Sequence, residues 1–506
     1  MLKPIDNLLN RITMYRLVLY VLIGLLGVAL LLSALGVMGY DPFALLFSTA
    51  FLLAACALTN WIFAKAFKIP ANAESTYISA LILALIISPI QSYNDLWFLG
   101  WAAVLAMASK YIVSINKRHI FNPVAFAVAI TYFTINQSAS WWVGDAPMLP
   151  FVLIGGLLLV RKVARFELVF SFLLSAFASM AIFSLFNGSD FMAALQRTIV
   201  YSPILFFAGI ILTEPLTTPP NQKLRMIYGA ITGFFFAPQI HFGSLYITPE
   251  LAMLIGNAFS FVVSPKSTLI LTLKDKIRVA PDIYDFIFMA DRKLAFTPGQ
   301  YMEWTLGHDD PDSRGNRRYF TLASSPTEDQ LRLGVKFYPN GSSFKQALLD
   351  LDHQHEIVAT QLAGDFVLPN DPNQKCVFIA GGVGITPFRS MIKYLIDTRQ
   401  RRSIVLFYAN RSIKDIIYKD VFDKAEKQLG LKTVYTVTDS SGLPAAWRGK
   451  VGRITPELIK AEVPDYRHCM FYISGPKGLV DSFKESLSQL HVPGTHIRTD
   501  FFAGLA

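Results

Sequence analysis

Apolar residues follow two different patterns in the two halves of this 506-residue chain. Before Pro265 they form long runs separated by short polar connections, a pattern typical of helices that cross about 30 Å of hydrocarbon. Several runs are shorter than the roughly 20 residues of a straight crossing, which favours broken or re-entrant helices among them. The ten runs cover residues 14–38, 43–64, 77–91, 95–114, 120–136, 149–160, 167–186, 198–213, 224–240 and 250–264. This half is predicted to be a membrane all-α bundle of about ten helices.

After Lys266 apolar and polar residues alternate with a period of two, as at 268–273 and 284–288, which predicts strands. Further strands are predicted at 300–306, 318–323 and 331–338, and with few helices between them they favour an antiparallel β-barrel that ends near Pro369. From Lys375 strands and helices alternate, which indicates a doubly wound α/β domain. The predicted domains are residues 1–265, 266–370 and 371–506.

Composition supports a membrane protein. Hydrophobic residues make up 53% of the chain and charged residues only 16%, against about 25% charged in soluble domains. The three cysteines are isolated in sequence, too few for an iron–sulfur cluster. The first half contains only His119 and His241, which the ten-helix topology places near opposite faces, so no haem and no metal site is predicted.

Charge predicts the orientation. With ten crossings, 13 of the 14 Lys and Arg residues before position 265 share a side with both termini, and Arg197 alone lies opposite. The positive-inside rule then places both termini in the cytoplasm of a multi-pass protein, here assigned to a bacterial cell membrane. No dense basic cluster with interleaved aromatic residues occurs, so the expected surface partner is the lipid bilayer and no nucleic acid is expected.

A glycine-rich turn is the first candidate for chemistry. Gly381, Gly382 and Gly384 follow a predicted strand and precede a predicted helix. Glycine lets backbone amides approach a phosphate closely, and a helix N-terminus favours negative charge. Such turns also occur for packing reasons, so the neighbouring motifs decide the interpretation.

Those motifs occur in the order and spacing of the ferredoxin–NADP reductase family, which residues 266–506 resemble. The motifs begin at Pro298, Arg318, Gly341, Gly381, Asn410 and Ser474. The resemblance implies an FAD-binding β-barrel followed by an NAD(P)-binding domain, with NAD(P)H as electron donor.

The resemblance also implies individual roles. Arg318 would pair with the FAD pyrophosphate, Tyr319 would belong to the same motif, Phe320 would stack along the isoalloxazine, and Thr321 would reach its N5 region. Gly341, Ser342 and Ser343 would complete the pyrophosphate cradle, and Phe501 would shield the flavin. For the nicotinamide nucleotide, the implied residues are Gly381, Gly382, Gly384, Thr386, Pro387, Asn410, Arg411, Ser474, Gly475 and Pro476. Thr321 and Ser474 are the implied catalytic positions.

Three segments of the first half, 79–89, 119–125 and 212–219, recur in an order that resembles the flavin-carrying membrane subunits of the Rnf complex and of the sodium-pumping NADH:quinone reductase. This resemblance covers about residues 15–265 and implies a ten-helix bundle that binds FMN or riboflavin. Asn122 and Glu214 lie where Asn-Pro and Thr-Glu-Pro interrupt apolar helices, so they are the candidate flavin-site residues. The family's Ser-Gly-Ala-Thr sequence for covalent FMN is missing, which favours either non-covalent FMN or riboflavin or the loss of the membrane flavin.

The predicted function is a membrane-bound flavin-dependent NAD(P)H oxidoreductase. Electrons would pass from NAD(P)H through FAD to a membrane-domain flavin and on to a quinone or extracytoplasmic acceptor. The alternative is a redox-driven cation transporter or a subunit of a larger electron-transport complex, and a third interpretation makes the bundle a simple anchor. The charges of Arg401, Arg402 and Arg411 leave NADH and NADPH both open.

Overall fold

The computed structural model describes residues 3–67, 73–115, 118–243, 245–264, 268–309, 311–312, 315–339, 341–353 and 355–500. The chain forms two compact units, residues 1–266 and 267–506. This boundary lies next to the predicted one at 265. The further division of the second unit near 370 stays a prediction.

Each of the ten apolar runs contains a helix. After a short N-terminal helix, α1 (Lys3–Arg11), these are α2 (Met14–Ala34), α3 (Pro42–Phe67), α4 (Ala73–Ile86), α5 (Asp95–Ile112), α6 (Pro123–Ile135), α7 (Leu149–Val163), α8 (Phe166–Asn187), α9 (Phe191–Tyr201) with α10 (Ile204–Phe206), α11 (Gln222–Phe236) and α12 (Pro249–Val263). Two short hairpins join some of them: β1 (Ser114–Ile115) with β2 (Arg118–His119), and β3 (His241–Phe242) with β4 (Leu245–Tyr246).

The helices differ in length. Within the described residues, four helical segments are long and apolar enough to span a membrane: Met14–Ala34, Pro42–Phe67, Ala146–Val163 and Phe166–Asn187. A bent pair at the eighth run, Phe191–Tyr201 with Ile204–Ile211, meets at 65° and would make a fifth. Pro203 lies at this bend, where proline cannot donate the backbone hydrogen bond of a continuous helix. Several apolar helices are supported, whereas ten crossings stay a prediction.

Helices α8 and α11 pack closely through small residues. Gly229 and Gly233 of α11 lie against the backbone of Leu168 and Phe172 of α8, where any Cβ would clash. Ser171, Ser175 and Ser179 donate hydrogen bonds of 2.6, 2.7 and 3.1 Å to carbonyl oxygens of α11. Lipid tails are as apolar as helix side chains, so the hydrophobic effect does not drive helices together in a bilayer. Close packing of small residues and interhelical hydrogen bonds drive their association instead.

The second unit begins with a six-stranded antiparallel sheet, which is called the flavin sheet below because the sequence resemblance predicts FAD binding there. Its strands are β5 (Leu269–Ala280), β6 (Ile283–Ala290), β7 (Tyr301–Thr305), β8 (Arg317–Thr321), β9 (Leu331–Lys336) and β10 (Glu356–Ala363), in the order β8-β7-β10-β5-β6-β9, with α13 (Ser343–Asp350) before β10. A backbone hydrogen bond of 2.9 Å runs from the Ala323 amide to the Arg332 carbonyl. No ladder joins β8 to β9 in the described part of the chain, so the closed barrel is not confirmed.

A six-stranded parallel sheet follows, called the nucleotide sheet below. Its strands are β11 (Cys376–Gly381), β12 (Ile404–Asn410), β13 (Lys432–Val437), β14 (Lys450–Val451), β15 (Met470–Ser474) and β16 (Ile497–Asp500), in the order β14-β13-β12-β11-β15-β16. Helices α14 (Thr386–Asp397), α15 (Lys419–Leu429), α16 (Pro456–Glu462) and α17 (Lys477–Gln489) alternate with them. Separate apolar cores cover its two faces, which explains the fully buried β11 and confirms the α/β prediction.

Candidate functional site

The first part of the site is a positively charged corner of the flavin sheet. The Arg318 guanidinium lies 5.1 Å from the ring centre of Phe344, in the first turn of α13, and donates to the Gly315 carbonyl at 3.1 Å. Ser342 caps α13 by accepting a hydrogen bond from the Lys345 amide. A guanidinium beside a helix N-terminus suits a phosphate group. The corner therefore fits the pyrophosphate predicted for Arg318 and Ser342.

Ser343 makes contacts that the sequence did not indicate. Its amide donates to an Asp312 carboxylate oxygen at 3.0 Å, and its hydroxyl lies 2.9 Å from the Asp312 amide and 3.0 Å from His308 Nε2. A carboxylate thus already accepts a hydrogen bond at the start of α13, which shows that this position accommodates negative charge. Gly341 is held by its amide on the Tyr338 carbonyl, at 3.0 Å.

Tyr319 and Phe320 lie on β8 beside this corner. The Tyr319 hydroxyl donates to Gln361 at 3.2 Å, and its ring meets Tyr301 edge to face at 5.6 Å. Phe320 lies 6.0 Å from Phe344 between ring centres. Half-buried aromatic faces here provide stacking area for a planar ring. Phe501, the predicted shield, lies outside the described residues.

The two predicted catalytic positions meet through a third residue, Asp500. Thr321 ends β8, and its hydroxyl lies 3.4 Å from an Asp500 carboxylate oxygen. Asp500 ends β16 and pairs in register with Ser474, which ends β15. Burial raises the pKa of Asp500 to about 7, although the Thr321 hydrogen bond acts in the opposite direction. The sequence prediction named Thr321 and Ser474 but missed Asp500 as a site residue, and the only sequence cue was that Asp500 directly precedes Phe501, the predicted flavin shield.

The glycine turn packs directly on the β15–α17 turn. A Cβ on Gly384 would lie 2.5 Å from the Ser474 carbonyl oxygen and 2.6 Å from the Gly475 Cα. Gly381 ends β11, and Pro476 precedes α17. Gly382 has φ +54° and open space where a Cβ would be, so its backbone faces outward. Packing explains Gly384, whereas Gly382 keeps the approach that a phosphate needs.

The remaining nucleotide residues lie at the same edge of the parallel sheet. Thr386 and Pro387 open α14, and the Thr386 hydroxyl donates to the Val383 carbonyl at 3.2 Å. Asn410 is buried at the end of β12, and the exposed Arg411 follows it. Carboxyl ends of parallel strands are the usual place for a ligand in such sheets.

In the helical unit the structure joins two residues that are 92 positions apart. The Asn122 side-chain amide donates to Glu214 at 2.8 Å, and the Asn122 side-chain oxygen caps α6 by accepting from the Val124 and Ala125 amides at 3.0 Å. The Asn122 backbone N–H donates to the side-chain oxygen of Asn257 of α12 at 2.7 Å. Both Asn122 and Glu214 line one cavity, together with Ser75, Ser79 and Thr213.

The second unit thus combines an antiparallel sheet that carries a charged corner with a parallel sheet that carries a glycine-rich turn at its carboxyl edge. Residues 378–485 match the oxidoreductase NAD-binding domain, and residues 144–265 match the NQR2, RnfD, RnfE family. The resemblances predicted for both halves are therefore confirmed.

Curated relatives match somewhat less than half of the chain. The chain is 28% identical over 209 residues to the glycine betaine monooxygenase reductase subunit of Pseudomonas aeruginosa, covering 41% of this chain and 56% of the relative. It is 28% identical over 220 residues to the flavohemoprotein of Bacillus cereus, covering 42% and 54%. The chain thus spans about half the length of these relatives.

Solved structures with partial likeness include a cytochrome P450 reductase of Amycolatopsis, 25% identical with a TM-score of 0.41, covering 47% of this chain and 70% of that one. A flavohemoglobin from Malassezia yamatoensis is 14% identical with a TM-score of 0.44, covering 90% and 96%.

Proposed function

We propose that this chain is a membrane-bound oxidoreductase that passes electrons from NAD(P)H, through FAD in the second unit, to a non-covalent FMN or riboflavin in the helical unit and on to a quinone or extracytoplasmic acceptor. The observation that carries the proposal is the meeting of Thr321, Asp500 and Ser474, because it brings the end of a flavin-sheet strand to the carboxyl edge of the nucleotide sheet.

The charged corner would hold FAD. Arg318 and the start of α13 would neutralise its pyrophosphate, while Tyr319 and Phe320 would stack along its ring. When bound, the flavin supplies the conversion of a two-electron hydride donor into single-electron transfers. Thr321 would orient the N5 region, and Phe501 would cover the ring.

The nucleotide edge would hold NAD(P)H. Gly382, Thr386 and the start of α14 would receive its phosphates, and Asn410 with Arg411 would lie near a ribose or phosphate. Ser474 and Gly475 would border the nicotinamide beside Thr321. Hydride transfer needs this orientation rather than a side-chain base, so positioning is the main task of these residues.

The Asn122–Glu214 pair would form the membrane flavin site. An amide and a carboxylate that line a cavity at two helix breaks can donate to and accept from the polar edge of an isoalloxazine or quinone. Both termini would be cytoplasmic, so NAD(P)H would be oxidised on that side.

Flavin content and anaerobic reduction test the proposal. Purified protein should contain FAD that is bleached by NADH or NADPH, and Arg318→Ala should weaken FAD binding about 10- to 100-fold, because a charge-assisted contact contributes about 1.5–3 kcal/mol. Arg292→Ala is the matched control, since Arg292 is exposed and forms an ion pair with its chain neighbour Asp291. A colourless protein, or a flavin that stays oxidised with both nucleotides, would refute the proposal.

Proteoliposomes distinguish the acceptors. With nucleotide outside, reduction of an impermeant dye trapped inside would show transfer across the bilayer, whereas reduction of added quinone alone would place the acceptor in the lipid. If neither the dye nor the quinone is reduced while NAD(P)H still bleaches the flavin, the helical unit serves only as an anchor.

A redox-driven cation transporter is the second candidate function. A second carboxylate, Glu250, is buried in the helical unit with 1% exposure and accepts a hydrogen bond from Trp141 at 3.1 Å. Buried intramembrane carboxylates are costly and commonly mark ion pathways. Sodium-dependent turnover that generates a membrane potential would favour this function, and turnover indifferent to sodium and uncoupler would exclude it.

A further inference from the structure

A largely buried ionic cluster connects the flavin sheet to the nucleotide sheet. It consists of Asp285 of β6, Glu328 and Arg332 at β9, Arg389 of α14, and Tyr418 before α15. The first three residues belong to the flavin sheet and its turn, and the last two belong to the nucleotide sheet. None of them was singled out by the sequence motifs.

The hydrogen bonds of the cluster are direct. Arg389 forms a two-pronged pair with Glu328, at 2.6 and 2.9 Å, and also donates to the Ala323 carbonyl at 2.8 Å. Arg332 donates to Asp285 at 2.9 Å, and the Tyr418 hydroxyl donates to the other Asp285 oxygen at 3.0 Å. The Arg389 guanidinium also lies 5.4 Å from the centre of the Tyr418 ring. Two guanidinium groups therefore balance two carboxylates.

The environment keeps the central pair ionised. Burial opposes charge on both partners, but the hydrogen bonds and charge of Glu328 raise the pKa of Arg389, and those of Arg389 lower the pKa of Glu328. The Arg389 side chain is only 5% exposed. Removing one partner would leave a buried charge without compensation.

The cluster lies between the two predicted cofactor sites, so it can affect their spacing as well as the stability of the fold. Arg389 lies one helical turn after Thr386, the first residue of α14, and its bond to Ala323 ends two residues after Thr321. Ser390 adds a second bridge, with its hydroxyl donating to the Ser324 carbonyl at 2.6 Å. A short rigid connection thus runs from the strand end at Thr321 to the helix that follows the glycine turn.

Gly334 of β9 brings the sheets still closer. A Cβ at this position would lie 2.8 Å from the Thr386 methyl group and 2.8 Å from the Tyr418 hydroxyl. Tyr418 itself has φ +56°, a left-handed conformation that is uncommon for a tyrosine. The surrounding contacts hold this backbone in place. The start of α14 and the Tyr418 side chain therefore both lie close to one strand of the flavin sheet.

We propose that Arg389, Glu328 and Tyr418 are positioning residues for hydride transfer: they fix the glycine turn and Ser474 at the distance from Thr321 that the reaction requires. This inference rests on the proposed function, since it assigns the spacing between its two cofactor sites to named side chains. Misplacement by about 1 Å can cost roughly a hundredfold in rate.

Three conservative variants test the proposal in the full-length holoprotein. Arg389→Lys keeps the charge but loses the two-pronged geometry, Glu328→Gln keeps the shape but loses the charge, and Tyr418→Phe removes one hydrogen bond. Lys393→Gln is the control, because it removes a partly exposed ion pair with Asp397 on the same helix and leaves the Arg389–Glu328 pair in place. Stopped-flow reduction of the flavin gives the limiting rate and the nucleotide Kd separately.

Arg389→Lys and Glu328→Gln should lower the limiting reduction rate about 10- to 100-fold, with FAD content, melting temperature and nucleotide Kd close to those of Lys393→Gln. Tyr418→Phe should lower it about fivefold. Unchanged rates per bound flavin, or losses that only follow flavin release and a lower melting temperature, would make the cluster merely structural and overturn the inference. If the arginine and glutamate variants do not fold, Tyr418→Phe decides alone. A wild-type flavin that NAD(P)H does not reduce would instead refute the proposed function.

Discussion

At the scale of single residues, Asp500 makes the rate of flavin reduction depend on pH. Its carboxyl is partly buried beside the Thr321 hydroxyl, and its pKa of about 7 lies well above the ordinary value of 3.8. Below pH 7 the group is neutral, and above pH 7 a negative charge lies where hydride transfer brings further negative charge. The reduction rate should therefore fall as pH rises through about 7.

The measurement is single-turnover flavin reduction between pH 5 and 9. Asp500→Asn, which stays neutral, should give a flat profile at the rate of the acidic limb. The same shift has a stability counterpart: ionisation is disfavoured in the folded state, so the free energy of unfolding should decrease as pH rises from about 4 to 7. A step near pH 7 that persists in Asp500→Asn would assign the titration to another group.

The sequence predicted some of these site residues and did not predict others. Arg318, Thr321 and the glycine turn were predictable, because each belongs to a local motif whose chemistry follows from its residue types. The contacts of Asp312 with Ser343, of Asp500 with Thr321 and of Arg389 with Glu328 were not, since each joins positions that are 31 or more residues apart and leaves no periodic trace. Tertiary packing, rather than local pattern, selects these partners.

At the scale of elements, the turn between β11 and α14 tolerates no side chain at Gly384. Gly384→Ala would place a methyl group 2.5 Å from the Ser474 carbonyl, so the turn or β15 must move. Overpacking of this kind costs about 1–3 kcal/mol. We expect a lower melting temperature and slower nucleotide-driven reduction. Gly478→Ala in α17 is the control, because nothing lies within 4 Å of its added Cβ; equal behaviour of both variants would refute the close contact.

Two helix caps in the first unit form a matched pair. Asn122 caps α6 and also contacts Glu214, whereas Asn221 caps α11 by accepting from the Leu224 amide at 3.0 Å. Each Asn→Ala change should cost about 1 kcal/mol of stability. Only Asn122→Ala should also lower the amount of the second, non-FAD flavin bound per protein, measured by acid extraction and chromatography. Equal flavin loss in both variants would mean that the cap, and not the amide facing Glu214, matters.

The local pattern of apolar residues predicted the positions of helices and strands but not how they bend or pair. The apolar runs predicted the positions of the helices because burial in lipid demands uninterrupted hydrophobicity. They predicted that some helices are broken or re-entrant, but they did not locate the 65° bend after Tyr201 or the π-helical stretch Phe207–Ile211 that follows it. In the second unit, alternation predicted the strands, whereas closure of a barrel depends on pairing between distant edges, which alternation does not specify.

At the scale of the whole molecule, the orientation in the membrane can be tested with single cysteines. The three natural cysteines are buried, so they should react little with the labelling reagent. Ser189→Cys, in the connection after α8, should react with an impermeant maleimide from the extracytoplasmic side, and Lys223→Cys should react only from the cytoplasmic side. The same side for both would contradict the ten-crossing topology, because the two positions lie on opposite faces in it.

The π-helical stretch at Phe207–Ile211 has a consequence for insertions and deletions in this chain. Such a stretch corresponds to one residue added to an ordinary helix, and each residue turns the helix by about 100°. Loss of a single codon there would restore a regular helix and swing Glu214 away from Asn122. Relatives with a one-residue gap at this place should consequently have exchanged both polar partners for apolar ones.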